Sequence, residues 1–339
     1  MLDERKRLVL RAVIEDYVET AEPVGSRTIA RKHNLGVSPA TIRNEMADLE
    51  ETGYLHQPHV SAGRVPSDKG YRFYVDVLME PHTFSEREYG VIYREISGYY
   101  REMERLIQEA TRLLALLTQS ISVVVAPRMD RLVFKHVQLV FLDEASILVI
   151  LVLHPGIVKN KLIKTEQQYA PEELHEISAA LNQKLKGITY RELGPTVFNE
   201  IIRDFGEIGT VLVELVFRGL AEDKGEHVYS SGTANILNQP EFRDVDRVRV
   251  LLEVLDERER LLSLLSDASK SRGVNVAIGH ENPHAEMHEC SLVTSTYHVG
   301  RDVVGTIGVI GPTRMEYSKV VSVVDLIAGY LSELLTDLK

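Results

Sequence analysis

The spacing of apolar positions changes along this chain, and each change marks an element. Between residues 3 and 20 apolar side chains recur at Leu8 or Val9, Ala12 or Val13 and Tyr17, a helical stripe that Glu22-Pro23 ends. Ser26 to His33 reads as a short capped helix, and Asn34-Leu-Gly36-Val37 as a tight turn. Ser38 caps the next helix with Pro39 at its first position, where no N–H is needed and the fixed φ is already helical. On a 100° wheel Ile42, Met46 and Leu49 share one face, while Ala40, Asn44 and Ala47 lie opposite, flanked by Thr41 and Arg43. The two helices and their turn predict a helix-turn-helix. Tyr54-Leu55-His56-Gln57 and Arg64-Val65 then flank a turn region holding Pro58, Ser61 and Gly63, the pattern of a small hairpin of the kind that forms a wing. Ser67-Asp68 caps a fourth helix through Met79, with its aromatics packed on the hairpin and Arg72 pointing outward.

Further on, Ser85 and Glu88 form a capping box. Tyr89, Ile92, Ile96, Tyr99, Met103, Leu106, Ala110, Leu113 and Leu117 follow at intervals of three and four. The spacing predicts one helix over 85–119, about 50 Å long, with a coiled-coil-like seam. Such a seam fits either a copy of itself in a second chain or the next domain of its own chain, and Gly90 and Gly98 argue against a free-standing rod. From Leu132 the pattern turns to strands, at Arg131 to Phe141, Ile147 to Leu153 and Ile157 to Lys164. Helical patterns follow at Pro171 to Leu185, Val197 to Phe205 and Gln239 to about Ala268. Strands return at Val274 to Ile278, Ser291 to Val299 and Val303 to Ile310, before a last helix from Met315 to Leu338. Strands, helices and strands again predict an α+β domain, over 120–166 and 234–339, interrupted by an insertion over 167–233 and preceded by an N-terminal unit over 1–80.

Composition limits what such a chain does. At 339 residues, 44% hydrophobic and 26% charged, it has room for more than one packed core. The net charge of −11 is the wrong sign for a protein that coats polyanions, so nucleic-acid contact requires a local basic patch. One is present: between Arg27 and Arg43 there are four Lys or Arg and no Asp or Glu. The single cysteine, Cys290, excludes an internal disulfide and fits a reducing cytosol. The chain opens without a charged-then-apolar leader, and its apolar runs near 120–126 and 147–153 are too short for a bilayer, which predicts a cytoplasmic protein with no membrane partner.

The alanines at 40 and 47 allow close backbone approach, and the start of the same helix carries a guanidinium, an amide and a hydroxyl. We assign Thr41, Arg43 and Asn44 to base edges, Arg suiting guanine and Asn adenine, with Ser38 and Ala40 beside them. Arg64 and Ser61 belong to the wing, Arg64 reaching phosphate or minor groove. Arg27, Arg31, Lys69 and Arg72 read as phosphate contacts or plain surface. Against this stands a blander reading, a protein-binding module with a solvated Arg43. His280, His284, His288 and Cys290 have zinc-compatible residue types, but Gly279, Asn282 and Pro283 break any helix there, so no metal or other cofactor is expected. Gly305, Gly308 and Gly311 lie in a strand-like run without the Lys-Ser/Thr ending of a phosphate loop. No nucleophile, base and acid set stands out, and no enzyme is expected.

Val37-Ser-Pro-Ala-Thr-Ile-Arg-Asn-Glu-Met46, Gly53-Tyr-Leu and Gln57-Pro-His-Val-Ser-Ala-Gly-Arg-Val-Pro-Ser-Asp-Lys-Gly-Tyr-Arg-Phe-Tyr74 resemble the heat-inducible transcription repressor family, HrcA. Gly232-Thr-Ala-Asn-Ile-Leu-Asn-Gln-Pro-Glu-Phe242, Gly279-His-Glu-Asn282 and Gly305-Thr-Ile-Gly-Val-Ile-Gly-Pro-Thr-Arg-Met-Glu-Tyr317 agree in the same order, so the resemblance spans nearly the whole chain. It implies a winged helix-turn-helix, a GAF-like domain and an inserted dimerisation domain. It further implies a homodimer that represses chaperone operons through an inverted-repeat operator (CIRCE) in double-stranded DNA, maintained by a GroEL-type chaperonin and released on heat stress. A rival reading makes the GAF-like domain a sensor for a small metabolite.

Overall fold

Local caps start most of the N-terminal helices where the sequence places them. In the computed structural model, which describes residues 2–60, 62–98, 103–126, 133–143, 146–154, 157–165, 168–189, 192, 195–222, 227–268, 273–300 and 302–337, α1 (Glu4–Thr20) begins at Asp3, whose carboxylate accepts the Lys6 N–H. Helix α2 (Ser26–Lys32) leads to α3 (Pro39–Glu51), where the Ser38 hydroxyl accepts the Thr41 N–H at 3.1 Å. Strands β1 (Leu55–His56) and β2 (Val65–Pro66) form the expected hairpin. Val24 and Arg64 exchange both backbone hydrogen bonds, at 2.9 and 2.8 Å, which ties the segment before α2 to the hairpin. This approach requires Gly63, because a Cβ there would stand 2.4 Å from the Val24 carbonyl oxygen. Helix α4 (Asp68–Phe73), capped by Ser67, passes into one π-helical turn over Tyr74–Leu78.

The seam that predicts one helix over 85–119 is folded in two. Helix α5 (Glu86–Ser97) keeps its Ser85/Glu88 capping box, and α6 (Met103–Thr118) follows after residues outside those described. Glu95 and Arg112 stand 3.8 Å apart, whereas in one continuous helix 17 residues would separate them by about 25 Å. The heptad spacing survives because both arms bury their stripe in the same core. Ile92, Ile96, Met103, Leu106, Ala110 and Leu113 pack in one cluster with Val320, Val324 and Leu331 of α12 (Tyr317–Asp337). Of the two partners open to the seam, the chain's own body is therefore the one it meets.

The body is built on a five-stranded antiparallel sheet. Its strands are β3 (Ile121–Val125), β7 (Val228–Ser231), β8 (Asn275–Ile278), β9 (Cys290–Val299) and β10 (Asp302–Pro312), in the order β7-β3-β10-β9-β8. Alternation along the strands feeds two cores. Val124, Ile307 and Val309 face α6 and α12, whereas Ile121, Val123, Val125 and Ile310 face α10 (Val245–Asp256) and α11 (Arg258–Ala268). The helical pattern over 239–268 is thus broken at Glu257, whose ψ of 89° is not helical, and a short α9 (Thr233–Ile236) precedes it.

The insertion is larger than the sequence boundary of 167–233 indicates. Strands β4 (Val133–Asp143), β5 (Ser146–His154) and β6 (Ile157–Lys164) make a separate sheet, and its core residues, including Phe134, Val149 and Leu151, cluster with Leu174 and Leu181 of α7 (Pro171–Leu185) and with Ile201 and Leu212 of α8 (Pro195–Glu222). Helix α8 bends at Gly206, where φ is +54°. Residues 133–164 therefore belong to the inserted unit and not to the 120–166 portion of the body. Both ends of the unit meet on neighbouring strands: β3 pairs with β7, and the Ala126 N–H donates to the His227 carbonyl at 2.7 Å.

Candidate nucleic-acid interface

The outward face of α3 is as the wheel has it. Ile42, Met46 and Leu49 are buried, while Ser38, Ala40, Arg43, Asn44 and Ala47 are exposed and Thr41 is half-buried under the Ser38 cap. Two acids of this helix, Glu45 and Asp48, are matched by α1. Lys6 Nζ lies 3.0 Å from both Glu45 Oε2 and Asp48 Oδ2, and Arg5 lies 3.4 Å from Glu45. Hydrogen bonds to Asp48 and Glu45 push the Lys6 ammonium above its ordinary pKa. Arg27, Arg31 and Arg43, by contrast, are exposed and carry no ion pair or side-chain hydrogen bond among the described residues. Three exposed cations without any partner among the described residues are thus grouped on α2 and the first turns of α3.

The other expected contact residues do different work. The Arg64 guanidinium is only 20% exposed and pairs with Glu50 of α3 at 2.8 Å, so it fastens the hairpin to the helix instead of standing free on the wing. Lys69 Nζ donates to the Thr52 carbonyl at 2.8 Å and sits over the Tyr54 ring, which caps the C-terminal end of α3. Ser61 lies outside the described residues. The hairpin tip beside it is closed by Gln57, whose amide donates to the Val60 and Ala62 carbonyls, and the Val60 side chain there is 98% exposed. Arg72 corrects the outward reading: it turns to the body, donating through Nε to Glu281 at 2.8 Å and through a terminal nitrogen to the Val276 carbonyl.

Two features of the unit lie beyond pattern reasoning. Asp16, 2% exposed on α1, accepts from Lys32 at 2.8 Å and meets His33 at 2.9 Å, so the end of α2 is clasped to α1. Burial opposes its charge, but the Lys32 and His33 contacts prevail and hold the carboxyl below its ordinary value. Arg314, from the body, donates to the Val18 carbonyl of α1 and pairs with Glu241. Neither contact has a local sequence signal, since the partners are separated by a turn in one case and by most of the chain in the other.

The histidine-cysteine stretch is divided among other tasks. His280 Nδ1 lies 2.8 Å from Asp68 and its ring stacks on that of His288 at 4.4 Å. Cys290 is buried, which pushes its thiol up to about 12. No group of three metal-ligating side chains is assembled among the described residues. No helix of the described residues is long and apolar enough to cross a membrane.

Comparison with known proteins gives this geometry a family. Residues 104–321 match the family model of the HrcA protein C-terminal domain. The heat-inducible transcription repressor HrcA of Pelotomaculum thermopropionicum is 45% identical over 337 residues, covering 98% of this chain and 97% of that protein. The same-named protein of Desulforamulus reducens is 44% identical over 340 residues, with 98% and 97% covered. A solved structure described as that of a hypothetical protein at 2.2 Å resolution superposes with a TM-score of 0.70 at 27% identity and covers 100% of both chains. With relatives so named matching from end to end, and a mixed helix-and-sheet fold shared over the whole length, the chain belongs to the HrcA family of heat-inducible transcription repressors.

Proposed function

We propose that this protein represses chaperone operons as a homodimer, each subunit setting one winged helix-turn-helix on one half of an inverted-repeat operator of the CIRCE type. The observation that carries the reading is the outward face of α3, where Arg43 and Asn44 stand exposed and unpaired between two alanines while every acid of the helix start is absent. Thr41, Arg43 and Asn44 read base edges, the Ser38 turn approaches the backbone, and Arg27 with Arg31 meets phosphate. Arg64 and Lys69 act indirectly, by holding the wing and the far end of α3.

The dimer is supported by the inserted unit. One face of its sheet covers α7 and α8, and the other exposes an apolar group, with Leu148, Ile150 and Val152 half-buried and Val158 and Leu162 56% and 53% exposed, bordered by the polar Gln138, His136 and Asn160. A two-fold pairing of these faces matches an operator with two-fold symmetry. We read the five-stranded sheet and its helices as GAF-like. Heat release is supported by the family resemblance and by the relatives' names, and support by a GroEL-type chaperonin by the resemblance alone. Footprinting on the DNA upstream of the chaperone operons, with sedimentation of the free protein, tests the reading. Protection of both halves of an inverted repeat by a dimer is expected, and protection of no such element would overturn it.

A second reading has one observation behind it. A cavity of about 680 Å³ lies between α1 and the body, lined by Arg11, Glu15, Tyr74, Glu80, His82 and Arg314 among others, and a metabolite seated there would gate the reader. Native mass spectrometry that finds a retained small molecule would favour it.

A further inference from the structure

Helix α4 is gripped from two sides. Its cap residue Ser67 donates to the Gly53 carbonyl at 2.7 Å, and Lys69 donates to the Thr52 carbonyl at 2.8 Å, both at the C-terminal end of α3. The residues between and beyond them reach the other way, to the body. Asp68 accepts the His280 N–H at 3.0 Å and meets His280 Nδ1 at 2.8 Å. Arg72 pairs with Glu281, whose other contact, from the Ile278 N–H at 2.9 Å, fixes it in the loop after β8. Gly279 has φ +49°, and a Cβ built on it would fall 2.4 to 2.5 Å from the carboxyl atoms of Asp68. The carboxylate therefore occupies the place where any side chain at 279 would be.

Two more contacts prevent rotation about this clasp. Tyr71 packs on Tyr317 with ring centroids 5.6 Å apart, and Arg314, 11% exposed, ties the end of α1 to the body through Val18 and Glu241. One apolar cluster runs from Val9, Ile42 and Leu49 through Tyr71 to Tyr317 and Val320 without interruption. None of the clasp residues lies on the outward face of α3, so their effect on DNA is exerted through geometry alone.

From this arrangement we infer that α4 is a bracket fixing the angle of the recognition helix to the body, and that Asp68 and Arg72, with Gly279, His280 and Glu281 opposite them, are positioning residues for binding across two half-sites. The inference rests on the repressor reading given above. Two readers held rigidly on a dimer meet both half-sites of one spacing without further ordering. Readers that swing freely bind each half-site as well but lose the pre-set separation.

The test uses full-length protein with two body-side variants, Glu281→Gln and Gly279→Ala. The probes are an inverted-repeat duplex selected from a randomised library by the wild type, the same duplex with its half-sites moved apart by about five base pairs, half a helical turn, and a single half-site. Circular dichroism and sedimentation verify fold and dimer, and the near-isosteric Glu281→Gln guards against a packing failure at 279. We expect half-site affinity within about twofold of wild type, a loss of about tenfold or more on the selected duplex, and discrimination against the shifted spacing largely gone. Wild-type affinity and spacing preference in both variants would overturn the inference, as would equal losses on half-site and full duplex. A wild type that fails to distinguish the selected duplex from a scrambled one would instead remove the repressor reading itself, and the bracket's role with it.

Discussion

Replacing Arg43 by alanine removes a side chain that makes no ion pair and no hydrogen bond within the described protein. Its loss should leave folding stability unchanged within about 0.5 kcal/mol, the usual range for an exposed position. On DNA the cost is different. A bidentate Arg–guanine contact contributes about 1 to 3 kcal/mol of discrimination, and a two-fold complex loses it twice. Binding by the proposed dimer to its operator should therefore weaken by about 2 to 6 kcal/mol, from about 30-fold to about 10⁴-fold. Fluorescence anisotropy against operator and scrambled duplexes, each over a range of salt, measures this directly. A base contact predicts a loss confined mainly to the operator. A loss shared by both duplexes, with the salt slope smaller by about two, would make Arg43 a phosphate contact, and no loss would take it out of the interface.

Three further substitutions have defined outcomes. Ser38→Ala removes the hydroxyl that accepts the Thr41 N–H and should cost about 1 kcal/mol of stability, read as an earlier denaturation midpoint; an unchanged midpoint would mean the cap contributes nothing. Asp16→Asn should destabilise the N-terminal unit near neutral pH. Because the folded carboxyl titrates below its unfolded value, its contribution is complete above about pH 4, the unfolded range, and disappears as pH falls through the folded value, so the gap between wild type and variant should narrow as the medium is acidified below that range; a gap independent of pH would refute the pairing. Ile150→Lys puts a charge in the middle of the bare sheet face and should shift sedimentation from dimer to monomer, and a variant that stays dimeric would move the interface elsewhere.

What the sequence revealed here was local. Ser38 before Pro39, Ser67 before Asp68 and Ser85 before Glu88 each name a helix start within four residues, and each bond is present. The exposed face of α3 was legible for the same reason, since a wheel needs only the helix. The seam over 89–117 misled because a heptad spacing records which side of a helix is buried but is silent on a reversal of direction. Strands β4 to β6 were found, yet period two does not say which sheet a strand joins, so their membership in the inserted unit was hidden. The ion pairs of Arg64 and Arg72 were not legible because the partners that hold them, Glu50 and Glu281, have no fixed sequence relation to them, the second standing 209 residues away.

The adjacent exits of the inserted unit have a consequence for how such a chain is assembled and taken apart. Since β3 and β7 are antiparallel neighbours bonded to the last rung at Ala126 and His227, the hundred or so residues between them are a cassette: a two-residue Asn-Gly reverse turn would close the gap without disturbing any strand of the body. The parent domain has no topological need of its guest, and whatever the inserted unit contributes can be gained, lost or exchanged at a single point on the sheet's rim.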